Sequence, residues 1–112
     1  MRRGRSRREG LILEATPSEI VERLQKAIRE LFGCDSRWVR AESVVETFEG
    51  KRVWEGTVEV FDLIGYSDAS QCFAWITPLE PRERAYAVLR VPPITSAADA
   101  VRASIVRDFK NQ

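Results

Sequence analysis

The chain has 112 residues, 44% of them hydrophobic and 31% charged, with a formal net charge of +1 and no histidine. That length suits one domain, the apolar fraction excludes disorder throughout, and the short apolar runs exclude a membrane-spanning helix. The missing histidine excludes Ser-His-Asp and Cys-His catalysis, His-ligated zinc and haem on a proximal histidine.

The charge is uneven along the chain. Arg2, Arg3, Arg5, Arg7 and Arg8 stand at the N-terminus without an acid among them, which leaves the remainder net acidic. Residues 1–10 therefore read as a flexible Arg-rich leader, and residues 11–112 as a single α+β domain. Only Leu11, Ile12 and Leu13 follow the basic stretch. A signal peptide needs about 7–15 apolar residues there, so the expected location is cytoplasmic. Cys34 and Cys72 are then expected as reduced thiols, far apart in sequence and without a base to activate them.

Thr16-Pro17-Ser18-Glu19 has the form of a capping box with proline at the first helical position. Ile20, Leu24, Ile28, Leu31 and Phe32 continue as an apolar stripe at helical spacing, and Gly33 is placed to end the helix. Residues 37–63 read as a hairpin turning at Glu49-Gly50. A two-residue loop there pairs Val45 with Trp54, Ala41 with Val58 and Val39 with Val60 on one face. The other face then pairs Arg40 with Glu59 and Trp38 with Phe61.

Gly65-Tyr66-Ser67-Asp68 reads as a loop. Two further strands, about 70–77 and 84–91, are apolar on both faces: Cys72, Ala74, Ile76, Ala85, Ala87, Leu89 and Val91 on one, Phe73, Trp75, Tyr86 and Val88 on the other. Pro92-Pro93 ends the sheet. Thr95 or Ser96 then caps a last helix with Val101, Ile105 and Phe109 on its apolar side.

The predicted fold is α-β-β-β-β-α, an α+β four-stranded antiparallel sheet with both helices packed on one face. The second face, with Trp38, Phe48, Phe61, Phe73, Trp75 and Tyr86, would then be bare, and a second copy of the chain would cover it as a homodimer. Trp38, Arg40, Glu59, Phe61, Tyr66, Phe73, Trp75 and Tyr86 are thus the candidate ligand or interface residues.

Glu42, Glu46, Glu55, Glu59 and Asp62 are ordinary exposed strand carboxylates by this reading, and no catalytic residue, metal site or cofactor is assigned. There is no glycine-rich phosphate loop, CxxC pair or GxSxG turn.

Val53-Trp54-Glu55-Gly56, Val58-Glu59-Val60-Phe61-Asp62-Leu63, Cys72-Phe73-Ala74-Trp75, Leu89-Arg90-Val91-Pro92-Pro93 and Ala100-Val101-Arg102 with Ile105 carry a resemblance. On them the chain resembles a group of small uncharacterised bacterial proteins that includes products of integron and other mobile gene cassettes. The resemblance implies a stand-alone domain without an assigned activity. In that group the glycine matching Gly65 is typically followed by histidine, proline and basic residues, whereas Tyr66-Ser67-Asp68 stands here.

The leading expectation is a non-enzymatic, self-associating domain that binds a small molecule or a protein at its aromatic face. One alternative is a nucleic-acid-binding accessory protein using the Arg-rich N-terminus, whose affinity would fall steeply with salt. Another is a small carboxylate-dependent enzyme that uses Tyr66 and a perturbed Glu or Asp.

Overall fold

The computed structural model describes residues 16–77 and 83–110. The arginine leader and the 78–82 connection lie outside those residues. Helix α1 spans Pro17–Phe32, strands β1 Asp35–Phe48, β2 Lys51–Ile64, β3 Gln71–Thr77 and β4 Arg84–Leu89 follow, and helix α2 spans Ala97–Lys110. The strands form one antiparallel sheet in the order β1-β2-β3-β4. The fold is α+β with the expected element order. No helix among the described residues is long and apolar enough to cross a membrane.

The local signals act as the sequence predicts. Thr16 Oγ1 accepts from the Glu19 amide, and the Glu19 carboxylate accepts from the Thr16 amide, completing the capping box. Gly33 takes φ 74°, a left-handed value open to glycine, and its amide donates to Arg29 O. Ser96, rather than Thr95, caps α2: Ser96 Oγ accepts from the Asp99 amide, while Asp99 reaches back to the Thr95 amide and hydroxyl.

The helices lie on opposite faces of the sheet, which corrects the expected one-sided packing. Leu24 and Ile28 of α1 pack with Phe61, Leu63, Cys72 and Ala74. Ala97, Ala100 and Val101 of α2 pack with Val44, Val58, Val60, Phe73, Trp75 and Tyr86. The cause is β3, whose Cys72, Phe73, Ala74 and Trp75 are consecutive buried residues pointing alternately to the two sides. A strand apolar on both faces needs cover on both, and two helices supply one cover each. The small side chains of Ala74 and Ala87 give α1 a shallow bed, and the large rings opposite meet the alanines of α2.

The hairpin register holds at its ends and shifts in its middle. Glu49 and Gly50 form the two-residue turn, both at positive φ (53° and 80°). Phe48↔Lys51, Thr47↔Arg52 and Trp38↔Phe61 pair without a shift. Between them the pairing runs Glu46↔Trp54, Ala41↔Glu59 and Arg40↔Val60, because Val53 and Val39 are extra residues at two bulges. Val45–Trp54, Ala41–Val58, Val39–Val60 and Arg40–Glu59 are therefore not the pairs formed. The shift has a tertiary cause. It turns Val44 and Glu46, instead of Val45, toward α2, where Val44 joins the core and Glu46 meets Arg102.

Gly56 makes room for an aromatic contact inside this hairpin. The Trp54 indole folds back across Gly56 to meet Trp75 edge-on, with ring centroids 6.0 Å apart at 72°. A Cβ on residue 56 would lie 2.9 Å from Trp54 Cη2. Gly56→Ala is expected to displace the indole, costing about 1–3 kcal/mol in urea unfolding. The near-UV circular dichroism of the tryptophan pair would weaken alongside it.

Candidate functional site

The sequence-predicted site residues divide between the two faces. Trp38, Glu59, Phe61 and Tyr66 belong to the α1 side, since Trp38 pairs with Phe61, Phe61 with Cys72 and Glu59 with Ala74. Arg40, Phe73, Trp75 and Tyr86 belong to the α2 side, through Arg40↔Val60, Val60↔Phe73 and Trp75↔Tyr86. The single bare aromatic face expected from the sequence does not form. Phe61, Phe73 and Trp75 are 0%, 1% and 2% exposed, each beneath a helix of the same chain.

Trp75 stacks on Tyr86 at 5.3 Å with the rings 3° from parallel, and Arg84 lies 5.1 Å over the Tyr86 ring. The Tyr86 hydroxyl donates to Asp108 Oδ2 at 2.8 Å, tying α2 to the sheet. Tyr66 packs on Phe32 at 5.7 Å and closes one margin of the α1 core. These rings are held by packing and by one hydrogen bond to a helix.

Burial, followed by the Asp108 hydrogen bond, raises the Tyr86 phenol above its ordinary value of 10.0. A raised pKa means that folding favours the protonated phenol. Its contribution is whole below pH 10 and is lost as pH rises through the folded-state value. Tyr86→Phe is expected to lower stability by about 1 kcal/mol at pH 8, the scale of one net hydrogen bond. The gap from the unsubstituted chain, read from urea midpoints, should narrow above pH 10.

Each carboxylate on strands β1 and β2 has its own partner, Asp35 through Arg29. Glu42 pairs with Arg40 at 2.6 Å, Glu55 with Arg52 at 2.9 Å, and Glu46 accepts from Arg102 Nε and Nη2 at 3.0 and 3.2 Å. Glu59 accepts from Trp38 Nε1 at 2.7 Å. Asp62 accepts from Gln71 and Arg37, which hold its carboxyl below the usual range. Among the described residues no three metal-ligating side chains come together. The acids are thus spread along the strands as separate pairs and do not converge on one point.

Cys72 is fully buried, and burial, with Cys34 adding a smaller effect, pushes its thiol up to about 12. Cys34 is half-buried beside the same core. A thiol-reactive dye at pH 8 should titrate one cysteine in the native chain and two in 8 M urea. Rapid native labelling of both would contradict the burial of Cys72.

What the structure leaves open is the far half of the β1–β2 hairpin. Strands β1 and β2 have 14 residues each, whereas β3 has seven and β4 six. Strand β2 pairs with β3 only over Glu59–Asp62, so the hairpin overhangs the rest of the sheet. On its α2 side the overhang is held by Val44 and by the Glu46–Arg102 pair. On its α1 side Ala41, Ser43, Val45, Glu55 and Thr57 are exposed, and none of them joins the α1 core. Val45, Val53 and Phe48 are 51%, 48% and 66% exposed.

Sequence reasoning placed Val45 inward, set Phe48 among the aromatics of the uncovered face and did not single out Val53. The signal that marks the overhang is strand length: the first two runs are about twice as long as the last two. A second surface feature, an open groove of about 540 Å³ on the outer face of α2, is floored by Ile94 and Val106 and edged by Arg102, Arg107 and Lys110. Arg102 is already committed to Glu46 there.

No protein-family model, curated protein or solved structure matches the chain.

Proposed function

We propose that the chain is a non-catalytic interaction domain whose contact surface is the overhanging half of the β1–β2 hairpin. One observation carries the reading: this strand pair extends past both β3 and α1, exposing Val45 on its α1-side face and Phe48 and Val53 near the turn, Phe48 on the opposite face from Val45. Exposed valines and a phenylalanine on paired strands cost solubility unless something covers them. The Glu46–Arg102 pair and the Trp54–Trp75 contact anchor the overhang to the body of the domain. It therefore presents an ordered surface, which lowers the ordering entropy that binding must overcome.

The binding surface moves from the aromatic rings named by the sequence to the strand pair beside them. Trp38 and Glu59 remain part of it, at the border where α1 stops. Arg40, paired with Glu42, lies on the opposite face of the same strand.

The test is a photo-reactive benzoylphenylalanine placed at Val45, at Phe48 and, as a control, at Lys26 on the exposed side of α1. Irradiation in cells that carry the gene should give a discrete protein adduct from positions 45 and 48 and none from position 26. No adduct from either hairpin position, or equal adducts from all three, would overturn the reading.

A further inference from the structure

The overhang also has an outer edge. Strand β1 is the first in the sheet, so one row of its backbone N–H and C=O groups faces away from β2. Among the described residues the only partner recorded on that row's flank is Gln25 Nε2, which donates to Ser36 O near the start of the strand. Edge strands are normally blunted by proline, lysine, shortness or a bulge. β1 has 14 residues, contains no proline or lysine, and carries its own bulged residue only at Val39. From Arg40 to Phe48 no proline, lysine or backbone partner among the described residues blunts the edge, and its charged residues are Arg40, Glu42 and Glu46. The opposite edge, β4, has only six residues.

Resting on the interaction-domain reading, we infer that the occupant of this edge is a second copy of the chain, its β1 pairing antiparallel with the first about a two-fold axis at Ser43. The sequence of β1 selects that register. About Ser43, Ala41 meets Val45 of the partner on the open α1-side face; on the other face Glu42 meets Val44, and Arg40, paired with Glu42 in its own chain, lies opposite the Glu46 that Arg102 holds, in both directions at once. A two-fold at Glu42 sets that carboxylate against itself, and one at Val44 sets Glu42 against Glu46; both are repulsive. A two-fold at Ala41 runs into the Val39 bulge two residues on. One at Val45 leaves Arg40 without an acid opposite. The Ser43 register continues the sheet across the axis into eight strands. It joins about 24 Å of edge, at about 3.4 Å per residue.

The experiment uses the full chain with Cys34→Ser, Cys72 remaining buried. Ser43→Cys, Val45→Cys and Lys26→Cys are each oxidised mildly and followed on non-reducing gels, and the unmodified chain is followed by sedimentation velocity. The expected result is a dimer in sedimentation, with Ser43→Cys cross-linking at least tenfold faster than the other two. Faster cross-linking through Val45→Cys overturns the Ser43 register. A monomer at all concentrations, with three equal slow rates, overturns the second copy as occupant. In that case persistent photo-adducts from Val45 to a different protein would leave the interaction-domain reading standing, whereas their absence would remove both.

Discussion

Cys72 and Ala74 on one side of β3, and Phe73 and Trp75 on the other, are all withdrawn from solvent. A strand of that kind cannot sit at a surface, and the rest of the molecule is arranged by the need to cover it twice. Leu24 and Ile28 cover one side and Ala97, Ala100 and Val101 the other. Each fully buried aromatic or branched side chain contributes about 1.5–3 kcal/mol of transfer free energy, so the two layers supply much of what opposes chain entropy. The helices are consumed in this task. Neither has length left to shelter the hairpin beyond Trp38 on the α1 side, and that shortfall creates the open surface.

The polar contacts support this division of labour more than they suggest chemistry. Tyr86 to Asp108 and Glu46 to Arg102 both run between the sheet and α2, and Gln25 to Ser36 O and Arg23 to Glu83 both tie α1 to the sheet. The exposed pairs add little individually to stability. Their value is positional, since they fix where each helix lies across the strands. The carboxylates of β1 and β2 are engaged separately, and burial holds Cys72 as a neutral thiol.

Much of this fold is legible from local residues. The Thr16–Glu19 box, Gly33, the Glu49-Gly50 turn and the alternation of β3 and β4 all depend on neighbours in sequence, and all form as expected. Three features escape because distant residues decide them. The choice of face for α2 follows from the double-sided burial of β3, a pattern the sequence shows without saying which helix covers which side. The one-residue slip at Val39 and Val53 depends on Arg102, 56 residues from the Glu46 it turns inward. Matching Arg40 to Glu59 across the strands was a weaker force than that pairing. Of the aromatic residues that the sequence marks, Phe73, Trp75 and Tyr86 build the α2-side core, and Phe61 with Tyr66 builds the α1-side core. The open site was hidden in plain strand lengths.

The most direct measurement of whether the β1 edge is a contact surface is amide hydrogen exchange by NMR at two protein concentrations a hundredfold apart. The account predicts that alternate amides between Arg40 and Phe48 gain protection as concentration rises, while those of α1 and α2 do not change. Exchange along β1 that is fast and independent of concentration would contradict it.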